Sequence, residues 1–208
     1  MLIDGPAHPR ARFLFAHGAG APMDTPFMDA IAEGLSAGDI QVVRFEFPYM
    51  AKRRDDGKRR GPDRMPILLE TWHTVLDGLA PLDIPILIGG KSMGGRAAAM
   101  LAAEPKGAAR TDGVICLGYP FHPPGKPEKT RLEPLRGAQR PTLIVQGTRD
   151  RFGTPEDVAS YALKAPVEIV WIPDGDHSFV PRKSSGRTER DNITTAVCHI
   201  TAFIERMI

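Results

Sequence analysis

What this sequence has little of narrows it first. Two cysteines in 208 residues cannot build the disulfide framework of a small secreted domain. Cys116 lies in the strand-like Val114-Ile115-Cys116-Leu117 and Cys198 in the last helical segment, and both are expected as buried thiols rather than a disulfide pair. No apolar run approaches the roughly 18 residues that a membrane-spanning helix needs. Met1 to Pro9 has neither the basic start nor the apolar stretch of a signal peptide. The expected location is therefore cytoplasmic, with no membrane partner. Excess charge is missing as well: 27 Lys and Arg oppose 25 Asp and Glu, a net +2 that names no nucleic-acid partner.

What remains is ordinary globular material, 42% apolar and 25% charged. A chain of 208 residues suffices for one large core and is too short for a core plus an independent cap, so a single domain over residues 1–208 is expected. Apolar runs read as strands near Arg12 to Ala16, Gln41 to Phe47, Ile84 to Gly89, Gly113 to Leu117, Pro141 to Gln146 and Val167 to Ile172. Helical patterns lie between them. Thr25-Pro26 opens one to about Ala37 and Thr154-Pro155-Glu156 another to about Lys164, each with a capping threonine before a proline at the first helical position. Pro66 to Leu79, Met93 to Ala103 and Thr188 to Met207 supply the rest. Strands alternating with helices of this length imply an α/β class: a mostly parallel sheet of about six to seven strands with helices on both faces.

The most informative stretch is Gly90-Lys91-Ser92-Met93-Gly94, set between the branched run Ile84-Pro85-Ile86-Leu87-Ile88 and the Ala-rich Arg96 to Ala103. Strand, glycine-flanked serine and helix former spell a nucleophile elbow, whose turn is so tight that residues two before and two after the serine must lack bulk. Gly90-Lys91-Ser92 also matches the tail of a phosphate-binding loop. That loop needs a glycine where this chain has Pro85 and a pliable backbone where it has Ile86, Leu87 and Ile88, so the reading fails.

A serine hydroxyl is a weak nucleophile and needs a base, which needs an orienting carboxylate, in the chain order Ser, acid, His for such a sheet. Pro141 to Gln146 empties into Thr148-Arg149-Asp150, and Val167 to Ile172 into Pro173-Asp174-Gly175-Asp176-His177. Ligand chemistry in open parallel sheets gathers at the carboxyl ends of strands. Of six histidines only His177 has the right strand end and the right order, so the catalytic candidates are Ser92, His177 and Asp150, with Asp174 and Asp176 competing for the acid role. No second ligand cluster accompanies them, so neither a metal nor another cofactor is expected. Backbone donors for an oxyanion are expected from Met93, directly after the serine, and from Ala19 in His17-Gly18-Ala19-Gly20-Ala21, the loop that follows the strand Arg12 to Ala16.

Taken together, His17 to Ala21, the Phe47-Pro48-Tyr49 loop and Gly90 to Gly95 resemble the α/β-hydrolase superfamily, in its small lidless branch related to dienelactone hydrolases. They are also similar to the hydrolase-like subunit of a chromatin acetyltransferase complex. The resemblance implies an α/β-hydrolase fold without a separate cap domain and a triad of Ser92, Asp150 and His177; it implies no substrate. Two departures stand out. Lys91 precedes the nucleophile where many esterases carry an aromatic, acidic or histidine residue, and the usual first two strands are absent or reduced to something around Leu2 to Asp4.

One segment breaks the charge balance. Lys52 to Arg64 holds seven basic residues against three acidic. It is expected as a solvated excursion leaving the rim that carries Ser92, with recruitment of an anionic substrate as the sharper alternative and nucleic-acid binding as the weaker one. The chemistry expected is hydrolysis of a carboxylic ester or thioester, with Met23, Tyr49, Met93, Tyr119, Phe121, Phe152 and Phe179 as lining candidates. An idle hydrolase-fold interaction module, or an acyl transferase or perhydrolase using the same nucleophile, are the alternatives.

Overall fold

A computed structural model describes all 208 residues. Seven strands form one sheet in the order β1-β3-β2-β4-β5-β6-β7: β1 (Leu2–Asp4), β2 (Ala11–Ala16), β3 (Ile40–Phe45), β4 (Ile86–Lys91), β5 (Gly113–Leu117), β6 (Thr142–Gly147) and β7 (Val167–Ile172). All neighbours pair in parallel except β1, which runs antiparallel to β3. A three-residue β1 precedes the strand leading to His17, in the place where the sequence suggested a reduced element around Leu2 to Asp4. Every residue of β2, β3, β5 and β6 is buried. Helices cover both faces, which explains why these strands read as unbroken apolar runs instead of alternating ones.

Helices α1 (Pro26–Ser36) and α8 (Glu189–Glu205) pack together over one face. Over the other lie α2 (Pro48–Asp56), α3 (Met65–Asp77) and α4 (Met93–Ala103), with the short α5 (Pro105–Ala108), α6 (Glu133–Arg136) and α7 (Pro155–Ala159) along its edges. Two apolar clusters result. One gathers Phe45, Trp72 and Leu101 beneath α3 and α4, and the other Phe13, Ile31 and Phe203 beneath α1 and α8. The threonine caps form as expected: Thr25 accepts from Met28, and Thr154 and Thr188 each close a capping box, with Asp157 and Asp191.

Register places the chemistry. Ala16 pairs with Gly90, Lys91 with Leu117, Leu117 with Val145 and Gly147 with Ile172. The carboxyl ends of β2, β4, β5, β6 and β7 therefore finish level, and the loops carrying His17, Ser92, Asp150 and His177 leave from one rim.

Several boundaries differ from expectation. The basic segment from Lys52 begins as helix α2, which ends at Gly57 in a left-handed conformation with φ 69°; only the stretch after it is an excursion. Helix α7 stops at Ala159 instead of near Lys164, and Ala162 with φ 49° prevents its continuation. Cys198 is exposed on α8, because it falls on the outward face of that helix, while Cys116 is buried under the sheet as expected.

Candidate active site

Ser92 joins β4 to α4 with φ 50° and ψ −110°, a conformation that non-glycine residues avoid. Its amide donates to Leu117 O at 2.9 Å and its carbonyl accepts from Arg96 N at 3.0 Å, so the backbone is fixed from both sides. The glycines on either side are a spatial necessity. A Cβ on Gly90 would lie 2.5 Å from Ala16 O and 2.8 Å from Gly94 C, and one on Gly94 2.6 Å from His17 O. A serine at a helix N-cap usually spends its hydroxyl on the first turn. Ser92 makes no such bond, so its hydroxyl is left for the pocket.

Asp150, fully buried, meets that pocket through His177: imidazole Nδ1 lies 2.8 Å from Asp150 Oδ2. The same oxygen accepts from Gln146 Nε2 at 2.9 Å, while Oδ1 accepts from the Phe152 amide at 2.9 Å. Three hydrogen bonds around one buried carboxylate hold it in a single orientation. Asp174 and Asp176 are occupied elsewhere. Asp174 binds the Arg182 guanidinium and amide, and Asp176 accepts from the Ser178 and Val180 amides, which folds the loop that presents His177. The imidazole also stacks on Phe152, with ring centroids 4.4 Å apart. Ser92 and His177 line one pocket, with no hydrogen bond between them.

The Ala19 and Met93 amides have no hydrogen-bond partner in the protein. Met93 N–H is the first of α4, where an amide has no intrahelical acceptor and the helix dipole favours negative charge. The loop carrying Ala19 is held from beneath. His17 is buried, its Nε2 accepts from the Phe47 amide at 3.1 Å and its Nδ1 lies 2.7 Å from Gly18 O. Desolvation lowers its pKa, and because Nε2 accepts, Nδ1 is the nitrogen that donates to Gly18 O. Tyr49 on α2 donates its hydroxyl to Ala19 O at 2.9 Å and Arg53 reaches Gly20 O at 3.3 Å. Arg54 grips Asp24 and Glu46, and Glu46 in turn accepts from the Met23 amide.

The pocket has a volume of about 530 Å³. Its walls are the Gly18 to Pro22 loop, the start of α1 at Thr25 to Met28, Phe152, and the nucleophile and histidine loops. Among the lining candidates Phe152 alone reaches it. Tyr119 and Phe121 are fully buried against each other under the loop after β5, with the Tyr119 hydroxyl donating to Arg131 O. Phe179 is buried behind Phe27, and Phe27, not Phe179, faces the pocket. Tyr49 serves the loop as described, Met23 contributes its main chain to Arg44 and Glu46 and does not line the pocket, and Met93 packs against the core below α4. For Tyr49, Met93, Tyr119, Phe121 and Phe179 the cause is the same: their side chains point into the packing that supports the rim.

A family profile described as the alpha/beta hydrolase domain matches residues 9–205. The chain belongs to the alpha/beta hydrolase domain family. Among solved structures it is similar to a dienelactone hydrolase from Anabaena variabilis, with 20% identity over 99% of this chain and 90% of that one and a TM-score of 0.72. It is similar to a serine hydrolase without lid from Xanthomonas campestris, with 19% identity over 98% and 87% and a TM-score of 0.71. An alpha-beta serine hydrolase homologue from Coxiella burnetii shares 22% identity over 94% and 89%, with a TM-score of 0.67. At these identities the likeness is one of fold.

Within this alpha/beta hydrolase, sequence reasoning missed three residues and gave a fourth, Tyr49, a lining role in place of a supporting one. Gln146 looked like one more strand residue, yet it supports Asp150 from four positions away. Arg53 and Arg54 looked like mere charge and Tyr49 like a pocket wall, yet the three fasten the loop of Ala19. The signal for Gln146 was present: a polar side chain within an otherwise apolar strand has to find a partner when buried. No helix of the hydrolase is long and apolar enough to cross a membrane.

Proposed function

We propose that this hydrolase cleaves a carboxylic ester or thioester in two steps through an acyl group on Ser92. His177 takes the Ser92 proton through Nε2 as the hydroxyl attacks the carbonyl, Asp150 holds the imidazole and stabilises its charged form, and the Ala19 and Met93 amides receive the oxyanion. His177 then returns the proton to the leaving alcohol or thiol. Water, activated by the same base, releases the acid. The observation that carries the reading is the 2.8 Å contact of His177, in the pocket that Ser92 also lines, with a buried Asp150 held by two further hydrogen bonds behind it. The reaction needs no cofactor, and the substrate is a small acyl compound taken by a mainly apolar pocket of about 530 Å³. A cytoplasmic setting fits an exposed free Cys198.

Acyl transfer or perhydrolysis would use the same residues with a different attacking group, and an interaction module would use none of them. The likeness to the chromatin-complex subunit rests on the same motifs and adds no partner. The test is labelling with a fluorophosphonate followed by a screen of short and long acyl esters and thioesters. Wild-type protein is expected to label at Ser92 and hydrolyse at least one class; Ser92→Ala is expected to remain folded, not label, and lose turnover by about a millionfold, the loss seen for a comparable nucleophile. Folded wild-type protein that never labels would remove the enzyme reading and leave the interaction module.

A further inference from the structure

A lysine ammonium is strongly hydrated, and a fold buries one only where it meets a specific partner. Lys91, the residue before the nucleophile, is only 9% exposed. No carboxylate pairs with it. Its single protein acceptor is the main-chain carbonyl of His177, which Nζ reaches across the floor of the pocket. On the way the ammonium passes 5.4 Å from the centroid of the Phe27 ring. Gly118, at φ +66°, makes the room: a Cβ there would lie 2.8 Å from Lys91 Nζ and 3.0 Å from His177 O.

We propose that Lys91 is a positioning residue of the reaction, whose charged ammonium ties the His177 loop to the strand that carries Ser92 and so sets the base against the nucleophile. The inference rests on the Ser92 and His177 roles proposed above. Other bonds fix His177 to β6 through Asp150, and fix its loop to itself through Asp176; the Lys91 bond is the one that joins it to β4. A methionine would fill the same volume without burying a charge, but it would leave the His177 carbonyl without a donor and the base without a link to the elbow.

The tie depends on charge, because an ammonium donates more strongly than a neutral amine. The groups facing it are Asp150 and Asp176, which favour the charged form, His177 itself, and Glu189 on the pocket rim. Burial outweighs the two aspartates and lowers the Lys91 pKa from 10.5 to about 8. The tie is therefore intact below about pH 8 and weakens above it.

The experiment compares wild type with Lys91→Met for fluorophosphonate labelling, kcat, KM and the pH profile of hydrolysis. The variant is expected to fold, to label at Ser92 more slowly, and to lose roughly tenfold to a hundredfold in kcat with KM near wild type, as a displaced but intact catalytic group does. The wild-type profile is expected to fall through a step near pH 8 that the variant lacks. Wild-type kcat and an unchanged profile in Lys91→Met would overturn the inference. Should the variant not fold, the wild-type profile decides, and activity level from about pH 7 to about pH 10 overturns it. Failure of wild-type labelling points instead to the Ser92 reading, so the two failures are distinguishable.

Discussion

Asp150 and Lys91 are both buried polar groups, and they differ in how many partners meet them. Asp150 is compensated by three donors. Asp150→Asn keeps its shape and is expected to fold normally, yet to cut kcat by about ten-thousandfold, since the amide no longer selects the reactive tautomer of His177. The same substitution at Asp174 or Asp176 should leave turnover within a few-fold of wild type; a large loss there instead would reassign the acid. Lys91 has no such compensation, and its pKa is about 8 in the fold against 10.5 in the open chain. Below about pH 8 both states hold the proton, and burying the charge costs on the order of 3 kcal/mol. Between about pH 8 and 10.5 the unfolded chain keeps a proton that the folded one has lost, so stability rises with pH across that window. Lys91→Met is therefore expected to be more stable than wild type at pH 7 in denaturant titration, with the gap closing by about pH 10. A gap independent of pH would contradict the buried charge.

At the scale of elements, α2 is the unexpected component. Its sequence, basic and poor in apolar residues, suggests a solvated excursion, and its energetic role lies in where its polar groups end. Tyr49, Arg53 and Arg54 fasten the Gly18 to Asp24 loop, and Asp63 returns to accept from the Tyr49 amide at 2.9 Å, so the helix is pinned at its own start. Tyr49→Phe removes one donor to Ala19 O and keeps the packing on His17, whose ring centroid is 5.7 Å away. It is expected to lower kcat several-fold to about tenfold with little change in KM and a stability loss of about 1 kcal/mol. A change in KM alone would mean that Tyr49 touches substrate rather than the loop beneath the oxyanion.

For the whole molecule the relevant quantity is the net charge, and ion pairs at Arg54 and Arg60 neutralise part of the basic segment. Of the seven basic residues from Lys52 to Arg64, Arg53 is bonded to Gly20 O, Arg54 to Asp24 and Glu46, and Arg60 to Asp56. Net charge is +2. Steering of an anionic substrate should accordingly be weak: kcat/KM for an anionic ester is expected to fall by less than about threefold between roughly 0.05 and 0.5 M salt, in parallel with a neutral ester. A steep loss confined to the anionic ester, reproduced by reversing charge at Arg59, would restore recruitment as the role of this segment.

The sequence by itself determined what depends on a few consecutive residues. The elbow was legible because its glycines answer contacts of the turn with its own neighbours, and the strands because burial on both faces demands unbroken apolar runs; the three-residue β1 and the threonine caps are local in the same sense. The place of His177 on the rim was legible from strand ends and chain order. The tertiary structure decided everything that depends on which distant group a side chain meets. Asp150, Asp174 and Asp176 lie at two adjacent strand ends, and only the pairing of Gly147 with Ile172 and the folding of the loop bring Asp150 to the imidazole while Arg182 takes Asp174. Tyr119, Phe121 and Phe179 look the same in sequence whether they line a pocket or support it, because apolar surface is buried equally well against protein or ligand. Lys91 carries a charge whose meaning comes from a carbonyl 86 residues away. Local sterics act through a few bonds and can be read along the chain, whereas partners for buried charge and apolar surface exist only after the strands have been brought into register.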